Sequence, residues 1–257
     1  RVSGTSNCVT ESFSNPNDPN ATFTGNEGTY TLTWTVDGCS NSITAKIKEC
    51  NEINFDGVND YIDFGTDNYD LSNSTNKKAF SIEVWIKPES INGTQTIFSK
   101  RDANYSDNSK GYDLTIENGE LSFNWNNNGT IDSSPYELQT NRWHHVGITH
   151  SVSGEYKLYV DGVLIKSTSG GSPGENTSRA ILGAVDQTEY EIPTHYFNGW
   201  MEELRVWNVA LTSDQLREMM NQRITQDGTS VSGEILELKI DNLNWEDLIG
   251  YYRMDNI

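Results

Sequence analysis

Four phrases in fixed order constrain the fold of this chain more than any other feature. They are Phe55-Asp56-Gly57-Val58-Asn59-Asp60-Tyr61-Ile62; Phe80-Ser81-Ile82-Glu83-Val84-Trp85-Ile86; Arg142-Trp143-His144-His145-Val146 with Lys157-Leu158-Tyr159-Val160-Asp161-Gly162; and Asn198-Gly199-Trp200-Met201-Glu202-Glu203-Leu204-Arg205-Val206-Trp207-Asn208. Each reads as a strand or a strand with its turn. In the second, Phe80, Ile82, Val84 and Ile86 share one face, Ser81, Glu83 and Trp85 share the other, and Pro88 ends the run. Asn118-Gly119 and Asp161-Gly162 each separate two strand candidates and predict tight hairpins. The one good helix candidate follows a cap at Thr212 or Ser213. Gln215 lies near its capping-box position, and Leu216, Met219 and Met220 form its apolar stripe. Residues 51–222 therefore predict one large antiparallel sandwich.

Composition narrows the partners. Aromatics reach 11%, in short well-spaced apolar runs that suit a packed β core and argue against wholesale disorder. The formal net charge of -19 repels phosphate backbones and anionic membrane surfaces, so neither nucleic acid nor direct membrane insertion is expected. The same Asp- and Asn-rich composition suits divalent cations. Cys8, Cys39 and Cys50 all fall in the first fifth of the chain and form no zinc-like pattern. One disulfide with a leftover thiol is the simplest oxidising-compartment reading, with three pairings open. The chain begins and ends in mid-pattern, so it is expected to be a piece of something longer.

Residues 1–50 differ from the rest. Ser14 to Asn20 is a turn cluster, Thr29 to Val36 alternates with period two, and Asp37-Gly38 signals a turn before a second alternating run from Ser42. Phe13-Ser14-Asn15-Pro16-Asn17-Asp18-Pro19-Asn20-Ala21-Thr22-Phe23, followed by Gly28 to Trp34, resembles the second half of the immunoglobulin-like repeats in giant surface proteins of Bacteroidetes. The Phe-Asp-Gly-x-x-Asp-Tyr opening, the Trp-His-His-Val strand, the Tyr-Val-Asp-Gly hairpin and the closing Gly-x-x-Glu-Glu-x-Arg-Val-Trp resemble the laminin-G-like, concanavalin-A-like jelly roll in its bacterial, pentraxin-related form. The expected fold is thus all-β: a partial immunoglobulin-like module at 1–50, a jelly roll at 51–222, then an exit strand and lead-in to a following module at 223–257.

That resemblance implies binding, and with it structural calcium, held by carboxylate, amide and carbonyl oxygens. One expected place joins Asp56, Asn59 and Asp60 to Glu202. The other pairs a loop carrying Asp102 and Asp107 with a loop carrying Asp186 and Gln187, although the family's denser run of acidic and amide ligands after Gly183 is missing here. Tyr105, Trp125, Asn127, Tyr136 and Tyr190 are the expected sugar contacts, because aromatic rings stack on sugar CH faces while amides take hydroxyls. Adjacent His144 and His145 must face opposite sides of a strand, so they cannot share a metal. Glu202 and Glu203 likewise point apart, and no paired-glutamate spacing of a retaining glycosidase occurs, so catalysis is not expected. The expected function is a non-catalytic, calcium-stabilised adhesion module of a secreted or cell-surface protein. Its partner is expected to be a glycan or surface polysaccharide, with a protein ligand as the alternative. A structural spacer and an accessory domain of a polysaccharide-degrading enzyme are the rival readings.

Overall fold

The computed structural model describes residues 12–18, 20–47, 52–71, 78–103, 110–126, 129–187 and 192–254. The N-terminal part is two hairpin-like pairs. Strands β1 (Ser12–Phe13) and β2 (Phe23–Thr24) form one, and β3 (Gly28–Val36) and β4 (Cys39–Ile47) form the other. Asp37 and Gly38 turn β3 into β4 with positive φ at both positions, the geometry that matches strand twist in a two-residue hairpin. Hydroxyl pairs Thr33–Ser42 and Thr35–Ser40, at 2.8 and 2.7 Å, line its polar side. Cys39 carries an exposed free thiol, whereas Cys8 and Cys50 lie outside the described residues.

The sandwich follows. Its strands are β5 (Ile53–Asp56), β6 (Ile62–Asp63), β7 (Phe80–Pro88), β8 (Thr94–Lys100), β9 (Tyr112–Glu117), β10 (Glu120–Trp125), β11 (Gly129–Glu137), β12 (His144–His150), β13 (Glu155–Val160), β14 (Val163–Ser169), β15 (Ala180–Leu182) and β16 (Asn198–Trp207). After helix α1 (Ser213–Met220) come β17 (Ile224–Asp227), β18 (Ser230–Gly233), β19 (Lys239–Asn244) and β20 (Leu248–Tyr252). One sheet runs β11-β10-β9-β8-β15-β6, and the other runs β14-β13-β12-β7-β16-β20, with β5 also on β16. Both are antiparallel, as the alternation of apolar and polar residues predicts. Asn118-Gly119 and Asp161-Gly162 have φ of 51°, 95°, 50° and 72°, so both hairpins turn as expected.

Alternate residues of the two sheets meet in one core. Phe80, Ile82, Val84 and Ile86 from β7 are fully buried, facing Leu114, Ile116, Leu121 and Phe123 of the other sheet in the same apolar cluster. Burying each such side chain stabilises the fold by about 1.5–3 kcal/mol. At one end Trp125 stacks on Tyr156 with centroids 4.0 Å apart. Helix α1 begins at a reciprocal capping box: Gln215 N–H donates to Thr212 Oγ1 at 3.2 Å, and Thr212 N–H donates to Gln215 Oε1 at 2.9 Å. Leu216 and Met219 then pack on Tyr159 and Trp207, which face outward from the second sheet.

The C-terminal segment departs from expectation. Residues 223–254 fold back onto the sandwich instead of leading away from it. Strand β20 pairs with β16 from Leu204↔Tyr252 to Trp207↔Leu248, and Met254 enters the main core. Ile224, Val231, Ile240 and Leu243 join α1 in a second apolar cluster over the outer face of the β7–β16 sheet. The strand expected at Glu234 to Ile240 lies instead at Lys239–Asn244. Leu236 bridges to Ala45 of β4, tying the N-terminal hairpin to this segment.

Candidate functional site

The two sheets present very different outer faces. Along β9 and β10 the residues that alternate with the core are Asp113, Thr115 and Glu117, then Ser122 and Asn124. They form a continuous floor of hydroxyl, amide and carboxylate groups. Asn124 donates to Asp113 Oδ1 at 2.9 Å and to Glu117 Oε1 at 3.1 Å, and Thr115 Oγ1 donates to the same Glu117 oxygen at 3.1 Å. Ser122 meets Thr130 of β11 at 3.4 Å. Arg101, at the end of β8, lies 3.4 Å from Asp113 and donates to the Asn126 carbonyl at 3.2 Å. Burial pushes the Asp113 carboxyl above its ordinary range, opposed by Arg101 and by the Asn124 hydrogen bond. Thr115 and Ser122 are buried, while Glu117 and Asn124 are partly open and Thr130 is exposed. The open part of the floor can exchange hydrogen bonds with a polyhydroxylated ligand.

At one edge of that floor lies the rim expected to hold calcium. The structure does bring Asp102 and Asp186 together: they form a parallel bridge, and Ala103 N–H donates to the Asp186 carbonyl at 2.7 Å. The Asp186 carboxylate, however, is occupied. Arg179 donates to it through Nε at 3.0 Å, Nη2 at 2.7 Å and its backbone N–H at 2.8 Å, and reaches Asp63 through Nη1 at 3.1 Å. A guanidinium thus stands where a cation was expected. Gln187 follows at the rim, partly exposed. Asp107, Tyr105, Asn127 and Tyr190 lie outside the described residues.

The other expected place does not assemble. Asp56 opposes Asn198 across β5–β16, so Glu202 sits four residues along, about 13 Å away at the usual strand rise. The turn closes on itself: Asp56 Oδ1 accepts from Val58 and Asn59 N–H at 2.8 and 3.2 Å, and Asp60 Oδ2 accepts from Asp56 N–H at 3.0 Å. Among the described residues no three His, Cys, Asp or Glu side chains are grouped to hold a metal ion. The Asp186 carboxylate and the Asp56–Asp60 turn are thus already engaged by donors of the protein itself. The expected sugar contacts also move. Trp125 is 6% exposed and stacked in the core, so its ring has no free face for a ligand. Tyr136, on β11, is partly exposed with its ring against the core.

The histidines serve the fold. Gln139 N–H donates to His144 Nε2 at 3.1 Å, which leaves Nδ1 to donate to Asp161 Oδ2 at 3.2 Å. His145 Nε2 lies 3.0 Å from the fully buried Glu83. Glu203 accepts from Arg205 at 2.6 Å and from Tyr251 at 2.7 Å. Burial, then the nearby Glu203 and Glu52 charges, push the Glu202 carboxyl up from 4.5 to about 7. With the folded value raised, its contribution is fully present below the ordinary carboxyl range and is lost as pH rises through about 7. Glu202→Gln, uncharged throughout, is expected to melt about 2 °C above the parent at pH 8, with the gap closing below pH 5. Equal melting curves at pH 8 would contradict the assignment.

Residues 56–217 match the model of the concanavalin A-like lectin/glucanases superfamily, a laminin-G-like family. The chain belongs to that superfamily, as its two antiparallel sheets require. Over 141 residues it is 28% identical to C-reactive protein 1.1 of Limulus polyphemus, covering 52% of this chain and 57% of that protein. It thus spans little more than half the length of the curated relatives it matches. Among solved structures it shares its fold with a Bacteroides ovatus protein provisionally assigned to carbohydrate binding, at a TM-score of 0.53 and 18% identity over 88% of this chain and 71% of that one. The leech intramolecular trans-sialidase shares it at a TM-score of 0.52 and 14% identity, over 69% and 28% of the two chains. The chain therefore contains a concanavalin A-like lectin domain, similar in sequence to that C-reactive protein and in fold to the Bacteroides ovatus protein. No helix among the described residues is long and apolar enough to cross a membrane.

Proposed function

We propose that this domain is a non-catalytic glycan-binding module of a larger secreted or cell-surface protein. The carrying observation is the polar floor of β9 and β10. Glu117, Asn124 and Thr130 meet solvent there, above the buried Asp113, Thr115 and Ser122 that orient them. Ring hydroxyls would replace water on these groups, and the rim at Arg101, Asp102 and Gln187 would close one end. Glu203 is held by Arg205 and Tyr251 and so is not free to converge with a second carboxylate on one bond, which supports binding over hydrolysis. The superfamily and the Bacteroides ovatus neighbour support a carbohydrate partner. The resemblance of Phe13 to Phe23 and Gly28 to Trp34 to an immunoglobulin-like repeat of Bacteroidetes surface proteins supports an extracellular parent.

Calcium enters this proposal only as an ion that orders the rim. Asp186 would not be a donor to it, since Arg179 holds that carboxylate. A glycan array, run with calcium and with chelator, tests both parts. Asn124→Ala, which removes two hydrogen bonds from the floor, is expected to weaken every array hit about tenfold while leaving the melting temperature within a few degrees. Hits unchanged in that variant would move the site off this floor. A melting temperature indifferent to chelator would remove calcium from the proposal.

A further inference from the structure

The outer face of the β7–β16 sheet is covered unevenly. Helix α1 and β17–β20 lie over the end that carries Glu83, Arg205 and Trp207, all buried. Beyond the end of the helix no described element lies over the face, which carries partly buried tryptophans. Lys87 pairs with Trp200 across β7–β16, and His144 pairs with Ile86 across β12–β7, so Trp143, Lys87 and Trp200 form one row across three strands. Lys87 Nζ sits 5.3 Å from the Trp143 ring centroid and 5.1 Å from that of Trp200. Two interstrand spacings separate the indoles by about 10 Å. The next row holds Trp85, in register with Glu202.

Two of these rings are held at their polar edge. Trp200 Nε1 donates to Glu89 Oε1 at 3.2 Å, and Trp85 Nε1 donates to the Met220 carbonyl at 2.5 Å, while the ring of Trp85 meets His145 edge-on at 5.4 Å. Trp85, Trp143 and Trp200 are all only partly buried. Large aromatics fixed at their polar edge and left open on a flat sheet are the pieces of a stacking platform. A protein interface would present a contiguous apolar centre. Here each indole borders a charged side chain: Lys87, Glu89 or Glu202. That alternation matches a sugar chain, with its apolar CH faces and hydroxyl edges. One ammonium against two carboxylates, in a chain of net charge -19, disfavours a polyanionic chain.

We propose that Trp143, Lys87, Trp200 and Trp85 form a second binding face, for an uncharged glycan chain laid across the strands. Pyranose faces stack on the indoles, and Lys87, Glu89 and Glu202 take hydroxyls. This face lies on the opposite sheet from Asn124, across the full thickness of the core, so it does not rest on the site proposed above. It would make the module bivalent on a polysaccharide surface, where two weak sites gain by effective concentration.

Native gels of the whole chain, cast with hydroxyethylcellulose, xyloglucan or galactomannan, test this, with polygalacturonate as the anionic probe. At least one neutral polymer is expected to retard the protein, and polygalacturonate to leave its mobility unchanged. Trp143→Ala and Trp200→Ala are each expected to weaken retardation about tenfold, and the phenylalanine variants at both positions to keep most of it. The phenylalanine pair, with melting curves like the parent's, separates lost stacking from lost folding. Lys87→Met, which removes one hydrogen bond to a hydroxyl, is expected to weaken retardation about threefold to fivefold, less than either alanine variant. No retardation by any neutral polymer, or equal retardation of the Trp143→Ala/Trp200→Ala double variant and the parent, overturns the proposal. So does retardation lost in Asn124→Ala but kept in the double variant, which places all binding on the other sheet.

Discussion

Arg205→Met is expected to lower the unfolding free energy by about 3–5 kcal/mol, the usual cost of breaking a buried ion pair from one side. Arg205 is 1% exposed, and its guanidinium holds together parts distant in sequence. Nη1 lies 3.5 Å from Glu83 Oε1 and donates to the Met219 carbonyl at 3.1 Å. Nη2 donates to Glu203 and to the Gln222 carbonyl, both at 2.6 Å. The Met219 carbonyl belongs to the last turn of α1, and the Gln222 carbonyl to the segment that follows its cap. Glu83, fully buried, also receives Trp207 Nε1 at 3.1 Å. Burial alone would raise its carboxyl, but Arg205 and His145 outweigh that and hold it below the ordinary range. In the parent, Glu83 therefore contributes stability above the ordinary carboxyl range, and the contribution is lost as pH falls through the lowered folded value. Without Arg205 the sign reverses, because a desolvated carboxylate with a weakened counter-charge favours its protonated form. The variant's deficit is thus expected to be larger at pH 8 than at pH 5. Glu83→Gln in the Arg205→Met background should recover part of it, since the Glu83 charge is then no longer left uncompensated. Chemical denaturation of the two variants at both pH values checks this, and additive losses would contradict the network.

Ending the chain after Gln222 is expected to abolish cooperative unfolding. The cut removes β20 from the edge of β16, strips Ile224, Val231, Ile240 and Leu243 from the cluster under α1, and exposes Trp207 and Tyr159 to water. It also leaves the β16 backbone as an open sheet edge, which favours aggregation. Removing residues 1–51 instead is expected to shift the melting temperature by no more than about 5 °C. The described links of that part to the sandwich are the Ala45–Leu236 bridge, the Lys46 N–H bond to the Ile235 carbonyl at 3.1 Å and the Lys46–Glu237 ion pair, with some apolar contact at the surface. A melt of the chain cut after Gln222 that matches the parent would restore the boundary expected at that residue.

Much of the architecture was legible because a strand's period of two is a local property. Phe80 to Ile86, Tyr112 to Glu117 and Glu120 to Trp125 each declare which side is buried, and Asn118-Gly119 and Asp161-Gly162 declare their turns. The polar floor was written in the same alternation, as Asp113, Thr115, Glu117 and Ser122, Asn124. Aromatics near loops are the stronger sequence signal for sugar stacking, and Trp125 shows where that signal fails: one residue after Asn124, it falls on the opposite side of the pleat, in the core. Arg179 carried no signal at all, being an isolated arginine whose role appears only when the chain brings Asp186 and Asp63 to it. Nor could periodicity tell that residues 223–254 return to the sandwich. Leu248 to Tyr252 would make an equally good strand elsewhere, and its partner β16 lies some forty residues away in sequence. The sequence by itself determined the strands, the hairpin turns, the capped helix and the superfamily, all of which depend on residues near one another in the chain. Only the tertiary structure decided which carboxylates are free, which tryptophans stay at the surface and where the domain ends, because each depends on strand register and on neighbours distant in sequence.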